Sequence, residues 1–282
     1  MSYIFESNSQ KFDIIFKISN IQKKFFPHIG ITAREGISVM YRLSGNKNWL
    51  NIDFFFKKSR ETIDMSCYID EGQKYEILIY SPIIAQLSKL AIEVPEDTYI
   101  KKINVYSDKT MVVVGGPISY GIGCTSVKSM FSNILERKYE AEVNHVTFNE
   151  NNYLESVLNY YNMSYPQVAD VGIIELDQFR QKESVVEEIL PQLISVMKQY
   201  CKYLIGWYAI PESKSFKKII ANNTIKDYVY NNEIKVIDLS YIFDKEHKDM
   251  CAYNNYYIND TGNILIYKKL DENLRGLLEW NI

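Results

Sequence analysis

MVVVGGPISYGIG, residues 111–123, opens on an unbroken apolar run and ends in a glycine-rich turn. Met111 to Val114 are apolar without a break, so no polar residue marks a solvent face. Such a run belongs to a strand buried on both sides within a parallel sheet, not to a half-exposed antiparallel strand. The glycines and Pro117 that follow stop the strand and turn the chain tightly. A helix is expected next, at about 124–138.

Downstream, the alternation continues. The pattern predicts a strand at EVNHVTF (142–148), a helix at about 151–162 and a strand at VADVGIIEL (168–176). A helix over about 183–200 follows, with Pro191 either kinking it or marking its start. Strands are then expected at YLIGWYAI (203–210) and IKVIDL (234–239). The last helix begins near Asp260, where Asp260 and Thr261 are read as N-caps. Its stripe of Ile264, Leu265, Tyr267, Leu270, Leu274, Leu277 and Leu278 is spaced to lie on a sheet. Strands alternating with helices predict an α/β/α domain with a five-stranded parallel sheet of the flavodoxin type. Ligands in such folds bind beyond the carboxyl ends of the strands.

Upstream, the rhythm is different. GISVMYRL (36–43) sets Ile37, Val39, Tyr41 and Leu43 against Ser38, Met40 and Arg42, the period of a half-buried strand. SGNKN (44–48) is a turn, and LNIDFFFKK (50–58) follows it. IDMSCYID (63–70) and QKYEILIY (73–80) flank Asp70-Glu71-Gly72, a hairpin signal. YIKKINVY (99–106) closes the series. Short strands at this spacing predict a jelly-roll-like β-sandwich over 1–106, with the α/β domain over 107–282 and the boundary near Ser107–Thr110.

The chain has 282 residues, of which 46% are hydrophobic and 14% aromatic, enough for a full core. A formal net charge of −3 gives no electrostatic footprint for nucleic acid. The N-terminus MSYIFESNSQKFD lacks the apolar centre of a signal peptide, and the longest apolar runs are too short to span a bilayer. Cys67, Cys124, Cys201 and Cys251 are widely spaced and form no CxxC pair. These features predict a soluble, reduced, cytoplasmic protein with no membrane partner. His28, His145 and His247 are far apart, so no metal site is expected. The 111–123 turn lacks the Gly-Lys-Ser/Thr of a P-loop and the third glycine of a dinucleotide fingerprint, so no cofactor is expected.

Gly115-Gly116-Pro117-Ile118-Ser119-Tyr120-Gly121 resembles the first block of the SGNH (GDSL-type) hydrolases, Gly-Asp-Ser-x-Ser/Thr-x-Gly. Gly116 then stands at the family's aspartate and Pro117 at its nucleophilic serine. Tyr257-Ile258-Asn259-Asp260-Thr261-Gly262-Asn263 is similar to the terminal block His-Pro-Asn-Asp-x-Gly-His. Tyr257 takes the place of the histidine, and Asn254 that of its partner aspartate. VTFNEN (146–151) matches the second block, with Glu150 near its oxyanion-hole glycine. Glu175-Leu176-Asp177-Gln178-Phe179 stands where the family has Gly-x-Asn-Asp. A preceding β-sandwich also occurs in some two-domain carbohydrate esterases.

The resemblance implies an SGNH domain that has lost its triad. Serine acyl transfer needs a hydroxyl, a base within hydrogen-bond reach and donors aimed at the oxyanion. Proline supplies neither hydroxyl nor N–H. Tyrosine, with an ordinary pKa of about 10, is a poor base near neutral pH. On this reading Pro117, Ser119, Tyr120, Glu150, Asp177, Gln178 and Tyr257 line a ligand cleft at one sheet edge, with Pro117, Asn254 and Tyr257 as degenerate catalytic positions. The implied occupant is a glycan or a small acylated metabolite, or else a protein partner.

Other readings remain beside this one. The 115–123 glycines serve equally as a plain strand-to-helix turn. Asp244-Lys245-Glu246-His247 is a literal Asp-x-x-His, although it sits in a charged run suited to a solvated loop. With Ser119 or Cys124 as nucleophile it would make a rearranged acyl hydrolase or acyltransferase, whereas Cys124 reads equally as a buried helix-start thiol. The paired tyrosines Tyr160-Tyr161 and Tyr256-Tyr257 could stack on sugars, but among 23 tyrosines they carry little information.

Overall fold

The computed structural model describes residues 2–19, 29–52, 54–58, 62–69, 74–147, 153–163, 168–177, 183–209, 231, 233–252 and 257–278. The chain divides into two compact units. One comprises Met1–Val105 with Thr125–Lys128, the other Tyr106–Cys124 with Ser129–Ile282.

The first unit is built from antiparallel strands. They are β1 (Ser2–Ser7), β2 (Lys11–Ser19), β3 (Ser38–Leu43), β4 (Leu50–Asn51), β5 (Phe54–Lys58), β6 (Thr62–Tyr68), β7 (Tyr75–Tyr80), β8 (Gln86–Glu93) and β9 (Ile100–Lys102), with a one-turn helix α1 (Ile31–Arg34) before β3. One sheet runs β4-β3-β7-β1-β9 and the other β5-β6-β2-β8. Alternate residues of β2, Phe12, Ile14, Phe16 and Ile18, meet Val39, Ile77 and Ile79 of the opposite sheet in one core. Each such buried side chain contributes about 2 kcal/mol. The segment 125–128 joins this unit through a 2.7 Å hydrogen bond between the Ser38 and Ser126 hydroxyls and one of 2.6 Å from Lys128 to Asn51.

Two readings of this half need correction. The strands flanking 70–72 do not form a hairpin: β6 pairs with β5 and β2, whereas β7 pairs with β1 and β3 in the other sheet. Asp70, Glu71 and Gly72 lie outside the described residues. The hairpin signal is local, but the apolar faces of β6 and β7 are both needed in a sandwich core, which puts them in opposite layers. The strand expected over 99–106 is confined to Ile100–Lys102.

The second unit holds β10 (Thr110–Gly115), β11 (Glu142–Thr147), β12 (Ala169–Glu175), β13 (Cys201–Tyr208) and β14 (Lys235–Asp238). All are parallel, in the order β11-β10-β12-β13-β14, the flavodoxin-like arrangement. Both faces of β10 are buried, as its unbroken apolar run requires. Met111 and Val113 face α2 (Phe131–Tyr139) and the last helix, α6 (Asp260–Leu277). Val112 and Val114 face α3 (Tyr153–Met163) and α4 (Glu183–Tyr200). A 3-10 turn over Ser240–Phe243 and a short helix α5 (Lys248–Cys251) lie between β14 and α6.

The helix expected from 124 begins only at Phe131, after turns and a 3-10 segment at Val127–Ser129. Its start is set from outside. Met130 provides no side-chain cap, and the Phe131 N–H is taken instead by Asn263 Oδ1 of α6 at 3.1 Å. Pro191 lies inside α4. Asn259, not Asp260 or Thr261, caps α6 by accepting from the Gly262 N–H at 3.1 Å. In the expected apolar stripe Ile264 is 42% exposed, and fully buried Ile266 takes its place against the sheet.

Candidate functional site

The carboxyl ends of β10 and β12 are adjacent, because the two strands pair directly from Met111↔Val171 to Val114↔Ile174. The chain leaves β10 through a coil of turns. Tyr120 N–H donates to the Gly116 carbonyl at 3.0 Å, Gly121 to Ile118 at 2.9 Å, Ile122 to Pro117 at 2.9 Å and Cys124 to Gly121 at 3.0 Å. At two positions of this turn an added side chain would collide with its neighbours. At Gly115 a Cβ would stand 2.5 Å from Ser119 Oγ and 2.8 Å from Glu175 Cβ. Gly123 has φ +116°, and a Cβ there would collide with the carbonyl of Ile258.

Beneath this turn lies a carboxylate. Glu175 ends β12, is fully buried, and its Oε2 accepts from Gly116 N at 3.1 Å and Ser119 N at 2.7 Å. These two backbone bonds satisfy the oxygen and offset part of the cost of burying it. The sequence blocks assign Glu175 no role. The available signal was an acid closing an otherwise apolar strand, Val171-Gly172-Ile173-Ile174-Glu175.

Pro117 and Tyr120 lie on the outside of the turn, Tyr120 at 37% exposure. Ser119 points inward at 1% exposure, and its Oγ meets no hydrogen-bond partner among the described residues. Cys124 is fully buried. Burial, with the nearby Asp260 charge added, pushes its thiol far above the usual range and disfavours the thiolate a nucleophile needs.

Asp177 is buried just past β12, and its Oδ2 accepts from Ala209 N at 2.8 Å, tying the ends of β12 and β13 together. Tyr257 is half-buried and immediately precedes Ile258, whose carbonyl faces Gly123. The 257–258 segment therefore lies against the turn after β10, at the same sheet edge. Glu150, Gln178 and Asn254 fall outside the described residues.

Asp244 and His247 do form a pair, with Nδ1 2.8 Å from Asp244 Oδ1. The same oxygen accepts from Glu246 N at 3.0 Å and His247 N at 2.9 Å, so Asp244 also organises the turn entering α5. The bond from His247 holds the exposed Asp244 carboxyl below its usual value. Among the described residues no three His, Cys, Asp or Glu side chains cluster as metal ligands, and no helix is long and apolar enough to cross a membrane.

The fold of this chain is that of the SGNH (GDSL-type) hydrolases. Over 100% of its length it is similar to a candidate GDSL-like lipase from Bacteroides ovatus, at 18% identity and a TM-score of 0.79, covering 85% of that chain. Over 99% of its length it is also similar to the salicylyl-acyltransferase SsfX3 from a tetracycline biosynthetic pathway, at 8% identity and a TM-score of 0.69, covering 84% of that chain. No family model and no curated protein matches the sequence.

Proposed function

We propose that this protein is a non-catalytic member of the SGNH fold that binds a ligand or partner at the carboxyl edge of its parallel sheet. One observation carries the reading. The turn after β10 offers Pro117 to solvent, while Ser119 and Cys124, the hydroxyl and thiol nearest to it in sequence, are buried. An acyl donor arriving from solvent meets no serine hydroxyl and no thiol there. The proposed ligand-lining residues are Pro117, Tyr120, Asp177 and Tyr257, with Ser119 supporting the turn from within, and Glu150 and Gln178 carried over from the sequence blocks. The proposed occupant is a glycan or a small acylated metabolite. The likeness to a salicylyl-acyltransferase supports the second of these, and a protein partner is the alternative. The proposal includes separable domains at 1–106 and 107–282 and a reducing, cytoplasmic setting, the latter supported by four free, buried cysteines.

A fluorophosphonate probe and a p-nitrophenyl acyl ester test the reading together. Neither serine labelling nor turnover is expected. The second reading, an acyl hydrolase or acyltransferase with a rearranged site, is favoured by the Asp244–His247 hydrogen bond, an arrangement that orients an imidazole as a base. It requires turnover that is lost in His247→Ala.

A further inference from the structure

We infer that the turn after β10 is a backbone anion site that the chain fills with its own carboxylate, Glu175, and that once vacated it takes a small carboxylate from solution. Two amides, Gly116 N and Ser119 N, converge on the single oxygen Glu175 Oε2 at 3.1 and 2.7 Å. Convergent N–H groups in a turn form a concavity selective for anions. They do not coincide with positions 117, 150 and 177, where the resemblance would look for oxyanion donors, so this is a separate site.

Its construction is specific. Gly115 supplies the gap, since a side chain there would meet both Ser119 Oγ and Glu175 Cβ. Glu175 reaches in from the neighbouring strand, across the β10–β12 pairing. On the block alignment above, the carboxylate has changed sides: Gly116 stands for the family's aspartate, and Glu175 for its glycine. With the anion in place the turn is held in the form that presents Pro117 and Tyr120 outward.

The inference is independent of whether the protein turns over any ester, and its test reads stability. Glu175→Ala removes the atoms of an acetate ion and leaves both amides facing the space. Thermal unfolding is compared in about 0.2 M sodium acetate and in sodium chloride at matched ionic strength and neutral pH, for wild type, Glu175→Ala and Glu175→Gln. Acetate raises the midpoint of Glu175→Ala by about 3 °C over chloride and leaves the other two unchanged, because their sites are filled. An equal response in all three proteins overturns the inference. Should Glu175→Ala fail to fold, the amide resonances of Gly116 and Ser119 are read in Glu175→Gln. A neutral acceptor is weaker, so both move upfield, and unmoved resonances overturn the inference as well.

Discussion

The backbone N–H of Ser119 donates to Glu175 Oε2 at 2.7 Å, joining two residues 56 positions apart in sequence. The Ser119 side chain is buried beneath the turn, whereas Pro117 lies on the surface of the same turn. The conformation that would have to expose a nucleophile is thereby committed to a structural contact, which has measurable consequences.

Wild-type protein incubated with a fluorophosphonate probe is expected to show no labelled serine, and p-nitrophenyl acetate hydrolysis stays at the buffer rate. Pro117→Ser is expected to remain unlabelled too, because a hydroxyl alone lacks a base. Labelling of the wild type that disappears in Ser119→Ala would show that the turn opens and that the non-catalytic reading is wrong.

Gly123→Ala is expected to lower unfolding free energy by roughly 3 kcal/mol, combining positive-φ strain with displacement of the Ile258 backbone. Gly276→Ala, in α6 with nothing near its added methyl, is the control and gains up to about 1 kcal/mol from helix propensity. Urea denaturation of both variants decides the point. Equal stabilities would mean that the 257–258 segment does not press on the turn.

The four cysteines are free and buried, with burial pushing the Cys67 thiol up to about 12 and Cys201 to about 11. Native protein at pH 8 should therefore react negligibly with Ellman's reagent, and four equivalents should appear after denaturation. Rapid reaction of a native thiol assigned to Cys124 would instead support the rearranged-enzyme reading.

The Asp244 carboxyl is held below its ordinary value by the hydrogen bond from His247. For a depressed carboxyl the stabilising contact is present above the unfolded pKa of about 3.9 and is lost as pH falls through the lower folded value. Carboxyl-carbon NMR of Asp244 should give a midpoint below that of an unperturbed aspartate. His247→Ala should raise it part of the way, since the Glu246 amide bond remains. A midpoint indifferent to His247 would remove the pair from consideration as an oriented dyad.

The parallel sheet was legible because Met111 to Val114 have no polar face to offer, and only a strand covered on both sides tolerates that. The sandwich was legible in part. Val39, Tyr41 and Leu43 do pack toward the core, but Ser38, Met40 and Arg42 between them are buried as well, so β3 is not the half-exposed strand its alternation predicts. Which sheet receives β6 and which β7 depends on core faces brought together from distant strands. The hairpin reading of 70–72 failed there.

At the candidate site the division is sharper. That position 117 has no hydroxyl or N–H and position 257 no imidazole follows from residue identity alone, since these are properties of proline and tyrosine. A parallel sheet also places the carboxyl ends of all its strands at one edge. Packing, by contrast, turns Ser119 inward, starts a helix at Phe131 under the Asn263 cap and brings Glu175 to the turn after β10. Each of these rests on a buried polar group finding its partner more than 50 residues away. The need to satisfy such groups is general, whereas the choice of partner exists only once the strands and helices are packed.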